Sequence, residues 1–244
     1  MIKQAFILAA GLGSRMRELT KEIPKPMITV TGQSLITRLI DQLIAHGVTR
    51  VIVNTFYKAD YLIEHVKKHM EKNSSEVEIF FSKESELLDT GGGIVNALKY
   101  LNNEPFFVVN SDALFIGDEN VFSFLNKNWD SSMKTLFLLA PLEKTIGHDG
   151  KGDFFLGSEK QLILPKDDLV NPSHVYISTH ITRPEIFKDH KAEPVKLMEI
   201  YKKFLDNNIL ENSYGVTYPG QWLHVGTPEA LDQATNFIAN SNCK

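Results

Sequence analysis

The residues best suited to chemistry lie near the amino end, in Phe6-Ile7-Leu8-Ala9-Ala10-Gly11-Leu12-Gly13-Ser14-Arg15-Met16. An apolar run opens there into small residues that let backbone N–H groups approach an anion, and Arg15 adds a planar, permanently charged donor. The spacing departs from the Walker pattern, which needs Gly-Lys-Ser/Thr, and from the dinucleotide fingerprint, which needs a third small residue where Met16 stands. Eight residues beyond Met16 comes Pro24-Lys25-Pro26, whose prolines fix the backbone and leave Lys25 little entropy to lose. Alone, the Gly-x-Gly reads as a strand-to-helix turn and the lysine as a solvated turn residue. Together they read as a cradle for a triphosphate.

Asp112 follows Phe107-Val108-Val109, so a carboxylate stands at the carboxyl end of a buried strand, where open α/β sheets bind ligands. It is a candidate divalent-metal ligand, with a helix N-cap as the alternative. Other constellations carry less. His65 and His69 lie four apart on a predicted helix, but Val66 stands where a zinc-protease helix has Glu and two lysines crowd the turn, so both histidines read as part of a solvated basic face. Ser14 lacks the Gly-x-Ser-x-Gly elbow of serine hydrolases. Trp129 and Trp222 read as core or pocket-wall aromatics.

Holding such a loop and such a carboxylate side by side requires a sheet. Short runs rich in Val, Ile and Phe, at 4–9, 50–54, 76–82, 106–110 and 135–140, alternate with stretches of helical period, which predicts an α/β chain with a mostly parallel sheet. Leu35, Ile36, Leu39, Ile40, Leu43 and Ile44 predict a helix opened by Ser34 and stopped at Gly47. Further helices are expected at 59–72, 92–101 and 119–128. Beyond Pro141 the texture shifts to Gly- and Pro-rich pieces, then a strand at 174–182, a helix at 195–207, a turn and strand at 218–226 and a last helix around Ala230 to Ile238.

Composition bounds the function. The 244 residues are 43% apolar and 23% charged, as expected of a packed soluble protein rather than a disordered or fibrous one. The net charge of −4 supplies no basic field, so no nucleic-acid partner is expected. One cysteine, Cys243, allows no disulfide framework and no thiolate zinc site within the chain. The apolar run at 5–10 is too short for a signal peptide, no run approaches a membrane span, and neither a myristoylation glycine nor a CaaX box is present. A soluble, unanchored cytoplasmic protein is expected, with no membrane partner; no heptad seam speaks to its oligomeric state.

The combination of Leu8-Ala9-Ala10-Gly11-Leu12-Gly13-Ser14-Arg15-Met16 with Pro24-Lys25-Pro26 resembles the signature of the sugar-1-phosphate nucleotidyltransferases. Leu88-Asp89-Thr90-Gly91-Gly92-Gly93 is similar to that family's base-reading loop, Val109-Asn110-Ser111-Asp112 to its metal-binding strand end, and Gln221-Trp222-Leu223-His224-Val225-Gly226-Thr227 to its closing segment. Gly150-Lys151-Gly152-Asp153-Phe154 and Val195-Lys196-Leu197 most resemble the branch of N-acetylmuramate-1-phosphate uridylyltransferases, often labelled mannose-1-phosphate guanylyltransferases.

The resemblance implies a Rossmann-like three-layer α/β/α fold in a single domain over 1–244, with 1–140 holding the nucleotide and 141–244 forming a small sugar-binding excursion and the closing part. It implies partners, a nucleoside triphosphate and a sugar 1-phosphate. Arg15, Lys25 and Asp112 would be catalytic. Ala9, Ala10, Gly11, Leu12, Gly13, Lys25, Asp89, Gly91 and Gly92 would bind the nucleotide. Asn110, Lys151, Gly152, Asp153 and Lys196 would face the sugar phosphate, and Asp112 and His224 the metal. Because the nucleophile, a phosphate oxygen, is already anionic, catalysis reduces to positioning and charge neutralisation. His224 stands where the family usually has a second aspartate. Imidazole is a poor Mg²⁺ ligand and suits Mn²⁺ or Co²⁺ better. Weaker Mg²⁺ use, a softer metal, and a binding protein without turnover all follow from that substitution.

Overall fold

The computed structural model describes residues 1–73, 76–146, 148, 150–167 and 169–241, so Cys243 lies outside the described residues. The strands are β1 (Gln4–Leu8), β2 (Thr29–Val30), β3 (Gln33–Ser34), β4 (Arg50–Thr55), β5 (Glu78–Lys83), β6 (Phe106–Asn110), β7 (Ala113–Ile116), β8 (Thr135–Pro141), β9 (Phe155–Leu156), β10 (Gln161–Ile163), β11 (His174–Thr182), β12 (Leu205–Asp206), β13 (Ile209–Thr217) and β14 (Gln221–His224). The helices are α1 (Leu19–Glu22), α2 (Leu35–His46), α3 (Ala59–Asn73), α4 (Asp89–Ala97), α5 (Val121–Asn128), α6 (Leu197–Tyr201) and α7 (Pro228–Ser241).

Ten strands form one sheet in the order β5-β4-β1-β6-β11-β8-β13-β10-β9, with β12 on β13. Seven share one direction, and β10, β11 and β12 oppose it. From β1 the chain first moves outward to β4 and β5, then returns to β6 on the other flank of β1. The carboxyl ends of β1 and β6 are therefore a topological switch point, where connections depart in opposite directions and leave a crevice. Leu8 pairs with Asn110 there, and Ser111 N–H donates to Leu8 O at 3.1 Å. The stretch after Leu8 and the stretch after Asn110 are thus neighbours by register.

Alternation along the strands builds a core on each face. Ala5, Ile7, Val51, Val53, Phe107 and Val109 pack with α2, α3 and α5, whereas Phe6, Ile52, Phe106 and Val108 pack with α4 and α6. A third cluster joins Met16, Ile28, Val30, Leu114, Leu223, Val225 and α7 beneath the crevice. α2 starts and stops where its sequence dictates: the Ser34 side chain accepts from Thr37 N–H, and Gly47, at φ 98°, takes the left-handed conformation a side chain resists.

Two expectations are corrected. The helix expected over 195–207 is only α6, followed by a 3-10 turn and β12, because the chain must turn back to pair with β13. His65 and His69 are not a solvated face: His65 Nε2 lies 2.8 Å from Ser34 Oγ and His69 Nε2 2.7 Å from Asp41 Oδ1, tying α3 to the cap and side of α2. Trp129 lies under the Arg183 guanidinium, and Trp222 is buried.

Candidate active site

The switch point opens into a cleft of about 350 Å³ lined by Ala9, Ala10, Gly11, Gly13, Arg15, Lys25, Asp89, Asn110 and Asp112 among others. Residues remote in sequence meet here because β1 and β6 deliver their following loops to one end of the sheet. In the loop after β1, no described residue accepts a hydrogen bond from the N–H groups of Ala10, Gly11, Leu12 or Gly13. Unspent donors in a run of small residues are what an anion needs. Gly13 sits at φ 66°, and a Cβ on it would lie 2.9 Å from Lys25 Cβ, so glycine is required for the loop to approach the lysine. Buried Met16 anchors the far end of the loop, and Thr20 Oγ1 donates to Gly13 O at 3.1 Å.

Pro24 holds extended backbone and Pro26 sits in a 3-10 turn, which together deliver Lys25 into the cleft. Its side chain is only 11% exposed, and Nζ donates to Asp112 Oδ2 at 2.5 Å. His224 Nε2 lies 3.3 Å from the same oxygen. The register of β14 on β7 produces that contact: His224 pairs with Ala113, and Val225 N–H donates to Asp112 O. Trp222 stacks under the imidazole at 5.5 Å and 7°. Burial works to raise the Asp112 carboxyl, but the hydrogen bond from His224 and the Lys25 ammonium outweigh it and hold the carboxyl well below the usual carboxylate range. Asp112 is thus ionised at neutral pH. Its second oxygen, Oδ1, is buried and has no hydrogen-bond partner among the described residues. A buried anionic oxygen without a donor beside an imidazole nitrogen fits a divalent cation whose shell other oxygens complete. Among the described residues, no group of three or more acidic, histidine or cysteine side chains could hold a metal by itself.

Asp89 lines the opposite wall at φ 59° and caps its own turn, accepting from Thr90 N–H at 2.6 Å. Gly91 and Gly92 are buried away from the cleft. Their N–H groups donate to Val195 O, and a Cβ on Gly92 would lie 2.1 Å from Glu193 O, so these glycines let the 193–197 segment close over α4. Thr90 Oγ1 accepts from Leu197 N–H in the same seam. Leu12 is exposed beside the cleft, and Lys196 is an exposed cap residue of α6. Lys151, Gly152 and Asp153 lie off the cleft. Asp153 Oδ2 accepts from Tyr176 N–H, and Gly152, where a Cβ would lie 2.0 Å from Pro172 O, allows the close crossing of 171–174. Upstream of this segment, Ile146 and His148 border the Asp112 cluster: His224 N–H donates to Ile146 O, and His148 packs 6.1 Å from Trp222.

Sequence reasoning missed Asn54 in the lining and buried Glu84 behind it, and gave Thr90 and Ser111, quoted within its motifs, no role of their own. Asn54 carried the signal that flagged Asp112, a polar residue at the carboxyl end of a buried apolar run. Glu84 carried none.

A family model described as nucleotidyl transferase matches residues 4–143. The chain is 34% identical over 242 residues to the N-acetylmuramate alpha-1-phosphate uridylyltransferase of Caulobacter vibrioides, covering 98% of each chain. It is 37% identical over 113 residues to a mannose-1-phosphate guanyltransferase of Aspergillus oryzae, covering 46% of this chain and 30% of that one. Among solved structures, HddC from Yersinia pseudotuberculosis complexed with GMP-PN superposes with a TM-score of 0.76 at 25% identity, covering 97% of this chain and all of that one.

Proposed function

The chain belongs to the nucleotidyl transferase family, and from that premise we propose that it moves a uridylyl group from UTP onto N-acetylmuramate 1-phosphate. The uridylyltransferase is matched along 98% of both chains, whereas the guanyltransferases are longer proteins of which this chain spans 30% to 65%, even where one of them matches 98% of this chain, and that difference in length favours uridine and the amino sugar acid. In the reaction an oxygen of the sugar phosphate attacks the α-phosphorus, the bond from that phosphorus to the bridging oxygen breaks, and pyrophosphate leaves with the electron pair. No general base is needed, since the attacking oxygen carries no proton at neutral pH; bringing two polyanions together is the difficulty.

Each part of the cleft has a task in that problem. The free amides of Ala10 to Gly13, following Ala9, cradle the triphosphate, and Arg15 and Lys25 neutralise it; Lys25 exchanges Asp112 Oδ2 for a phosphate oxygen as the nucleotide enters. Asp89 and Thr90 face the base, with Gly91 and Gly92 buried behind them where they hold the 193–197 crossing. Asn110 serves the sugar phosphate from the other side. Asp112 and His224 would hold Mg²⁺, or Mn²⁺ or Co²⁺, which would supply positive charge against the phosphates. We place residues 1–140 as the nucleotide-binding part and 141–244 as the sugar-binding and closing part of one domain. The setting is cytoplasmic nucleotide-sugar synthesis that reuses a cell-wall sugar.

The observation that carries this reading is one cleft in which unspent backbone donors face a lysine, an ionised aspartate and a histidine. Pyrophosphate release with nucleotides and sugar 1-phosphates in combination tests it. UTP with N-acetylmuramate 1-phosphate is expected to be the fastest pair. GTP with mannose 1-phosphate ahead of it would reassign the substrates. Silence with every pair while nucleotide still binds would make the chain a nucleotide-binding protein without turnover, as the histidine at 224 allows.

A further inference from the structure

From the lining of the cleft a chain of polar groups runs inward to buried Glu84, to which the reaction assigns no task. Ala9 N–H donates to Asn54 Oδ1 at 2.6 Å, Asn54 Nδ2 donates to Glu84 Oε1 at 2.7 Å, and Leu88 N–H donates to Glu84 Oε2 at 3.1 Å. Asn54 is 2% and Glu84 5% exposed. The two ends are Ala9, the first residue of the loop after β1, and buried Leu88, whose neighbours Leu87 and Asp89 line the cleft together with Ala9. Gly93 makes room for the centre: a Cβ there would lie 2.8 Å from Asn54 Nδ2 and 2.9 Å from Glu84 Oε1.

The backbone donors at both ends, Ala9 and Leu88 N–H, and the acceptor at the centre, Glu84, fix the polarity of this chain together. A carboxylate only accepts, so the Asn54 group turned to it must be the NH₂, and the carbonyl must then face Ala9. We infer that Glu84, acting through Asn54, is a positioning residue that sets the spacing and donor direction of the two loops that grip the nucleotide. This rests on the reading of the cleft as the nucleotide site. Burial pushes the Glu84 carboxyl up, so the fold tolerates a costly buried acid where a neutral side chain would be cheaper to bury. An acid is what the donors on both sides require.

Glu84→Gln keeps the shape and reverses the polarity at one oxygen. An amide offers one acceptor where two donors wait, so either Leu88 N–H or the Asn54 orientation, and with it Ala9, is released. Loss of a buried charge and loss of a hydrogen bond act on stability in opposite directions, so folding stability is not the readout. UTP affinity by calorimetry and the separate KM values are. The expected result is a Kd and KM for UTP about tenfold higher, equivalent to about 1.4 kcal/mol, with the KM for sugar 1-phosphate unchanged. The control is Gln4→Leu, which removes a buried bonded amide at the opposite end of β1, where Gln4 Nε2 donates to Asn102 O and Glu104 O; its UTP affinity should match wild type. UTP affinity of Glu84→Gln equal to wild type, or both KM values rising together, would overturn the inference. Wild-type protein that binds no nucleotide would instead overturn the assignment of the cleft.

Discussion

Two histidines in this chain lie flat on an aromatic ring, and their surroundings separate structure from chemistry. His180 stacks on Phe137 at 4.7 Å and 8°, and both ring nitrogens are spent, on Tyr176 and Tyr201 hydroxyls at 2.7 Å each. A neutral imidazole offers one donor and one acceptor, and two hydroxyls can match them. Burial pushes the His180 pKa down to about 3, so it stays neutral in the core. His224 stacks on Trp222 instead and reaches a carboxylate that already holds Lys25, leaving Asp112 Oδ1 buried without a hydrogen-bond partner among the described residues. The first cluster closes on itself and has nothing left to bind. The second keeps charge and a lone oxygen unspent at the end of the sheet, which is how a site differs from a well-satisfied core.

The sharpest way to break that contrast is Asp112→Asn. It should lower kcat about 10²- to 10³-fold with far-ultraviolet circular dichroism unchanged; a loss of less than tenfold would place Asp112 with the structural cluster. Next is Lys25→Ala, which removes a charge-assisted phosphate contact and should weaken UTP binding by about 1.5–3 kcal/mol, read by calorimetry. On the structural side, His180→Phe keeps the stack but orphans two buried hydroxyls. Unfolding in urea should show a loss of about 2–4 kcal/mol, with UTP affinity untouched.

The pH dependence follows with a definite sign. The unfolded chain takes up a proton at His180 from its ordinary pKa of 6.5 downward, and the folded protein does not until about 3. Wild-type stability therefore falls as pH drops through that window, at up to about 1.4 kcal/mol per pH unit from this residue, and the variant's profile should be flatter by that amount. Smallest is His224→Asp, which should raise turnover in Mg²⁺ a few-fold by restoring a hard anionic ligand; unchanged or reduced turnover in a folded variant would show that imidazole suits this site.

The alternating strands, the capped helix at 35–46 and the gathering of the loop after β1, Lys25 and Asp112 were legible because each depends on short-range chemistry: apolar period, a serine cap, prolines around a lysine, a carboxylate at a strand end. What depends on distant pairing was not. The reversed β11 inserted between β6 and β8 is richer in Ser, Thr and His than its neighbours, but composition carries no strand direction. Lys196 and the 151–153 segment lie off the cleft, and Gly91 and Gly92 hold a close backbone crossing, which a run of glycines signals no differently from a ligand loop. Glu84 is readable only once Asn54 and Leu88 are known to flank it.

A crystal structure of the protein with UTP tests the central claim most directly. The triphosphate should lie against the amides of Ala10, Gly11, Leu12 and Gly13, with Lys25 Nζ moved from Asp112 to a phosphate oxygen. Density for UTP elsewhere, or a triphosphate in the cleft with Lys25 still on Asp112, would contradict it.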